Sequence, residues 1–217
     1  MKPASLQPLT ISANFAISAD GKISSSDCRP SGWTSREDHQ RLLDLRRGAD
    51  AILVGRRTLL ADNMTLTVPG AVKHPLRCVA SASGKFTGQE KLFHTAGGEI
   101  HLWSQETPTI ARPDMIIHHG DVCEFLQTLH DHHGVKHLHC EGGGELLRLL
   151  IERDVLDEIH LTWAAHTIFG GAKAPTITGI PGMVLDVSRH FKLTHFDPRP
   201  ANGEVFLSYR RAGNLTQ

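Results

Sequence analysis

Two short runs carry residue types suited to holding an anionic ligand. The first is Val54-Gly55-Arg56-Arg57-Thr58, where a glycine follows an apolar run and precedes a helical one. A glycine there lets the backbone approach a ligand closely. The helix start then offers free N–H groups, two guanidinium charges and the Thr58 hydroxyl. An ordinary strand–helix turn explains this run equally well. The second is Cys140-Glu141-Gly142-Gly143-Gly144-Glu145. Three consecutive glycines are entropically costly, and a dinucleotide pyrophosphate on a helix N-terminus is a natural use for them. The spacing is not G-x-G-x-x-G, so the usual dinucleotide fingerprint is absent. Glu141 falls at the mouth of such a site, although a surface carboxylate or helix cap would look the same. Asp20, in Ser18-Ala19-Asp20-Gly21-Lys22, reads as an Asp-Gly turn or a site carboxylate. Trp33, between Gly32 and Thr34, reads as a pocket or interface residue.

The 15 histidines include His118-His119, His130, His132-His133, His137 and His139. Their spacings fit neither H-E-x-x-H nor a C-x-x-C…H pattern, so a histidine-rich surface is expected and no metal. His139 and His160 alternate with apolar residues and are expected to face a sheet surface.

The elements that position these runs alternate between strand and helix. Leu9–Ile17 reads as a strand, with Lys22–Ser24 as a short returning one. A helix starts near Ser35, with Glu37 and Asp38 in its first turn, and stops at Gly48. Ala51–Val54 is a buried strand, Arg56–Ala61 a short helix and Asp62–His74 a loop. Strands are expected at Leu76–Ala80, Ile100–Trp103, Met115–Ile117, Val135–Cys140 and Asp157–Ala165. Helices are expected from Asp121 to His133 and from Glu145 to Arg153. Met183–His195 and Glu204–Arg210 read as a closing antiparallel pair. This order predicts an α/β fold with a mixed, mostly parallel sheet and helices on both faces. Both glycine runs then lie at C-terminal ends of strands, where open α/β sheets bind ligands.

The chain has 217 residues, 40% hydrophobic and 21% charged, enough for a single domain with a sizeable core. Lys+Arg and Asp+Glu both number 23, which argues against a general nucleic-acid or membrane-surface binder. The four cysteines form no C-x-x-C and read as reduced thiols. No apolar run approaches the ~20 residues of a membrane span, and the first ten residues lack a leader's apolar stretch, so a cytoplasmic protein is expected.

Taken in order, Ser18–Lys22, Ser31-Gly32-Trp33-Thr34-Ser35, Ala51–Gly55, Leu60-Ala61-Asp62, Leu66-Thr67-Val68, Glu141–Gly144, Val155–Ile159 and Phe169-Gly170-Gly171 resemble the riboflavin-biosynthesis pyrimidine reductases. The resemblance runs from about Leu9 to Tyr209 and implies a dihydrofolate-reductase-like fold with a core over about 9–210. It implies an NADPH-dependent reductase converting the ribosyl group of 5-amino-6-(5-phosphoribosylamino)uracil to ribityl by hydride transfer. Carried over residue by residue, it gives Ala16, Trp33, Gly55, Arg56, Thr58, Asp62, Ser81 and Gly142–Glu145 (Gly142, Gly143, Gly144, Glu145) as cofactor contacts. Ser31, Arg46, Leu66 and Glu141 are expected at the substrate, with Asp20 and Glu141 as candidate catalytic groups. Arg56, Arg57 or the segment from Ser81 to Lys85 would meet the 2′-phosphate of NADPH. A homodimer is expected. There is no Pro-Cys-x-x-Cys zinc run, so the deaminase domain of the bifunctional relatives is not expected here.

The sequence departs from the family in three places. Asp62-Asn63-Met64 replaces Asp-Asp-Pro, Ser81-Ala82 replaces Asp-Ser, and Pro69 stands where the family has a phosphate-pairing Arg. Losing that charge-assisted contact costs roughly 1.5–3 kcal/mol, about 10–100-fold in affinity. Arg46 with Lys73 or His74 is the expected replacement. The alternatives are a same-fold reductase of another small molecule, such as a pterin or other imine or carbonyl compound, and a non-catalytic nucleotide binder.

Overall fold

Ala51-Ile52-Leu53-Val54 is apolar throughout because its strand lies inside a sheet that is covered on both faces. The structure, a computed structural model, describes residues 2–28, 32–180 and 188–212. Its elements in chain order are β1 (Thr10–Ser18), α1 (Arg36–Arg47), β2 (Ala51–Gly55), α2 (Arg56–Asp62), β3 (Leu76–Ser81), β4 (Ile100–Ser104), β5 (Met115–His118), α3 (Val122–His133), β6 (His137–Cys140), α4 (Gly144–Glu152), β7 (Glu158–Ala164), β8 (Phe191–Arg199) and β9 (Glu204–Arg211). The strands form one sheet in the order β5-β4-β3-β2-β6-β1-β7-β9-β8. Every pairing is parallel except β7 with β9 and β9 with β8. The expected mixed sheet with an antiparallel C-terminal hairpin is therefore what forms.

Strand alternation divides the core in two. Ile11, Ala13, Leu53, Cys78, Leu138 and Cys140 point to one face, where Phe125, Leu126 and Leu129 of α3 and Leu147 and Leu150 of α4 cover them. Ile52, Val54, Val79 and Leu102 point to the other, under Leu59 of α2 and the loop residues Phe86 and Phe93. α1 lies on this second face and is mostly polar. Ser35 caps it, its hydroxyl accepting from Asp38 N–H at 3.1 Å, and the acids of the first turn and Arg46 and Arg47 of the last suit the helix dipole. α3 begins with a reciprocal capping box between Asp121 and Glu124 and stops at Gly134 in the left-handed conformation.

Three sequence expectations need correction. Lys22–Ser24 forms no strand: the Lys22 carbonyl accepts from Ser18 N–H, and Ile23 N–H donates to the Pro175 carbonyl. The last hairpin is shorter than Met183–His195 implied, because β8 starts at Phe191, and positions 183–187 lie outside the described residues. The third is a matter of what lies above: His139 and His160 face the sheet surface as expected, but α1 covers that face. They enter a polar layer beneath α1, in which the Ser12 hydroxyl bonds His137 and His139, Ser208 bonds His160, and Arg41 bonds Thr162.

Candidate active site

β6 runs between β1 and β2, which brings the two glycine junctions side by side. Glu141 N–H donates to the Leu53 carbonyl at 2.9 Å, Gly55 N–H to the Gly142 carbonyl at 2.8 Å, and Gly143 N–H to Thr58 Oγ1 at 3.1 Å. The residues after β2 and those after β6 thus form one hydrogen-bonded rim. It opens on a cleft of about 890 Å³, within the usual range of small-molecule sites.

The three glycines serve different ends. Gly142 has φ +103°, and a Cβ there would lie 3.2 Å from the Phe15 ring. A Cβ on Gly143 would meet Thr58 Oγ1 at 3.1 Å. Gly144 is required by packing, since its Cβ would come within 2.4 Å of Gly179 N and 2.6 Å of the Thr176 carbonyl. Packing by itself therefore accounts for the missing side chain at Gly144, whereas Gly142 and Gly143 lie on the rim of the cleft. α4 starts here with Gly143 as its cap residue and no side-chain cap, so its first N–H groups remain available at the cleft.

All the residues expected as cofactor contacts line this cleft. Ala16, Trp33 and Gly55 line it, as do Arg56, Thr58 and Asp62. Ser81 and the segment Gly142–Glu145 complete the set, and Glu141, expected at the substrate, lines the cleft beside them. Arg57 also lines the cleft and pairs with Glu145, while Arg56 donates to the Lys85 carbonyl and lies over the Phe86 ring. Ser81 turns its hydroxyl toward Gly84 N–H at 2.9 Å, closing the turn after β3. Trp33 packs edge-on against Phe169 with ring centroids 5.1 Å apart.

Three expected residues lie elsewhere. Arg46 is buried and holds Glu141 in a two-pronged ion pair at 2.5 and 2.6 Å, with its third nitrogen on the Thr67 carbonyl. Its charge is thereby committed, so it is no phosphate ligand in this arrangement, but it fixes Glu141 at the cleft wall. Leu66 is fully buried at φ +53° in the second core, behind the cleft wall. Asp20 lies outside the lining: it accepts from the Ser18 hydroxyl at 2.6 Å, Gly170 N–H at 2.9 Å and Phe169 N–H at 3.3 Å. The Ser18 contact, with those backbone donors, holds its carboxyl below the usual range, so it stays ionised and is a poor proton donor. Ser31 lies outside the described residues. Lys73 and His74, expected as replacements for the missing Arg, do not line the cleft.

Sequence reasoning missed Arg36, His39, Lys173 and Gln105 in the lining. Arg36 was within reach of it, since it opens the helix that follows Trp33. Nothing local marks Lys173 or Gln105, which reach the cleft through chain connections made elsewhere in the fold.

Comparisons with known proteins identify the family and the fold. A 2,5-diamino-6-ribosylamino-4(3H)-pyrimidinone 5′-phosphate reductase of Archaeoglobus fulgidus is 30% identical over 185 residues, covering 76% of this chain and 83% of the relative. The diaminohydroxyphosphoribosylaminopyrimidine deaminase/5-amino-6-(5-phosphoribosylamino)uracil reductase of Thermotoga maritima superposes with a TM-score of 0.79 at 20% identity, over 94% of this chain. This chain spans 57% of the length of that protein. Dihydrofolate reductase from Enterococcus faecalis superposes with a TM-score of 0.55 at 14% identity, over 94% of this chain and 97% of that one. The fold is thus dihydrofolate-reductase-like. Residues 9–199, which carry both glycine junctions and the cleft between them, match the RibD C-terminal domain, and the chain belongs to that family.

Proposed function

We propose that this chain is an NADPH-dependent reductase of riboflavin biosynthesis acting on a phosphoribosylaminopyrimidine. The observation that carries the reading is the hydrogen-bonded rim of Gly55, Gly142 and Gly143 at the uncapped start of α4, facing one cleft. The relatives' names supply the reaction class.

The residues present suit a dinucleotide. A Cβ on Gly143 would occupy space beside Thr58, and the first N–H groups of α4 suit a pyrophosphate. Arg56, Arg57 and the turn from Ser81 to Ser83 supply charge and hydroxyls for a 2′-phosphate, which favours NADPH over NADH. When bound, the nicotinamide supplies hydride to the anomeric carbon of the ring-opened, imine form of the ribosyl group. Glu141, oriented by Arg46, presents its side-chain oxygens as acceptors to the amino groups of the pyrimidine. Arg36 and Lys173 line the cleft and take the substrate phosphate, in place of the family Arg that is Pro69 here. The proton that completes the reduction comes from solvent, since Asp20 faces away and Glu141 is tied to a guanidinium. The protein's main contributions are position and charge.

The protein acts in the cytoplasm as a homodimer. No helix among the described residues is long and apolar enough to cross a membrane. The edge strand β8 exposes Leu193 and Phe196, which supports pairing with a second copy.

The test is NADPH oxidation with the 2,5-diamino-pyrimidinone phosphate and with the phosphoribosylamino-uracil, each beside its dephosphorylated form. Turnover of either that needs the phosphate supports the reading. NADPH binding with no turnover of any of them sinks the substrate assignment and leaves the cofactor assignment standing.

A further inference from the structure

Outside the cleft lining, the fold brings a side chain at the end of α3 against two at the start of β4. Glu99 immediately precedes β4, His101 lies within β4, and His133 is the last residue of α3. One donor atom from each lies within 4.8 Å of the others. Glu99 Oε2 is 3.0 Å from His101 Nε2 and 3.6 Å from His133 Nδ1. None of the three lines the cleft. We propose that Glu99, His101 and His133 form a binding site for a divalent transition cation, with zinc as the type ion.

The spacing fits that chemistry. A tetrahedral zinc with bonds of about 2.0–2.2 Å has donor–donor edges of roughly 3.3–3.6 Å. The two edges to Glu99, 3.0 and 3.6 Å, bracket that span, and the third lies within 4.8 Å, so the three donors can close on one ion by side-chain adjustment. Two imidazoles and one carboxylate are a donor set that suits zinc, cobalt or nickel, whereas calcium and magnesium prefer oxygen alone.

The surroundings support the same reading. His101 is fully buried, and its second nitrogen, Nδ1, lies 2.9 Å from His118 Nε2. Without an ion, His101 Nε2–H donates to the Glu99 carboxylate; an ion would displace that proton and take the Nε2 lone pair, with Nδ1–H then donating to His118. An outer hydrogen bond of this kind commonly orients a metal-binding imidazole. The ring of His133 stands perpendicular to that of His101 with centroids 4.4 Å apart, so the two rings do not stack over the shared space. Glu99 is 46% exposed, which gives the ion a path in and leaves room for water as a fourth ligand. A bound ion would tie the C-terminus of α3 to the N-terminal end of β4.

Tag-free protein, stripped with chelator and titrated with zinc in a calorimeter, tests this. One ion per chain is expected, and cobalt in its place should give the ligand-field absorption of a four-coordinate site. Glu99→Gln and His133→Ala, both at partly exposed positions, should each weaken binding on the order of 100-fold. His94→Ala, elsewhere on the surface, should not. Unaltered circular dichroism would show that both variants fold. Absence of stoichiometric zinc binding by the wild-type protein would overturn the proposal. So would binding that survives both substitutions, which would put the ion on other histidines.

Discussion

His160 sits in the polar layer under α1, and this placement makes the protein's stability depend on pH in a specific way. Burial, then the nearby Arg41, pushes the imidazole down to about 4 from 6.5, against a smaller opposing effect of Glu158. His137 and His195 lower it further, and Ser208 bonds its Nδ1. The ring is therefore neutral in the folded chain and titrates near its ordinary value in the unfolded one. A base whose folded value is depressed gives stability that is complete above about pH 6.5. That stability is lost as the pH falls below 6.5, and the loss levels off below about 4. At pH 5 the unfolded ring is almost wholly protonated, and the folded one about a tenth so, which by linkage costs about 2 kcal/mol relative to pH 7.5. A folded value one unit higher or lower changes this by only a few tenths of a kcal/mol.

The perturbation is His160→Gln, which keeps a partner for Ser208 and removes the titration. Urea unfolding of both proteins at pH 7.5 and pH 5 measures the effect. The wild-type protein should lose about 2 kcal/mol more than the variant, roughly 1 M in midpoint. His139, whose value burial lowers first and His160 next, moves in the same direction when His160 is removed. Equal pH dependence in the two proteins, or a wild type more stable at pH 5, would refute the reasoning.

Other substitutions probe the cleft. Gly143→Val sets a branched side chain against Thr58 and should weaken NADPH at least tenfold by fluorescence titration, with little change in melting temperature; unchanged affinity would misplace the cofactor. Arg56→Ala should weaken NADPH more than NADH, and equal losses would remove the 2′-phosphate from that residue. Arg46→Met leaves the buried Glu141 carboxylate unpaired and should destabilise the fold by about 3–5 kcal/mol in urea, a cost that Glu141→Gln added to it should partly restore. Asp20→Asn should raise KM by loosening the loop at Phe169 behind Trp33 while leaving the kcat pH profile alone; loss of one limb of that profile would make Asp20 the proton donor after all.

Much of this protein was legible in the sequence because local chemistry decides it. Apolar runs such as Ala51–Val54 must be buried strands, Ser35 and Asp121 must start helices, and Gly55 and Gly142–Gly143 must sit where backbone comes close to something. The element types, the mostly parallel sheet and most of the cleft rim follow from those residues. What the sequence could not show are partnerships across long separations. Arg46 looked like a free phosphate ligand, yet it meets Glu141 across 95 residues of chain. Asp20 looked like a site carboxylate, yet the backbone at Phe169 and Gly170 claims it. Glu99, His101 and His133 fit no spacing pattern because their proximity arises from α3 packing back on β4. Strand order is the physical reason in each case. The placement of β6 between β1 and β2 sets Glu141 beside Arg46 and Gly143 beside Thr58, and only the folded sheet brings those pairs within reach.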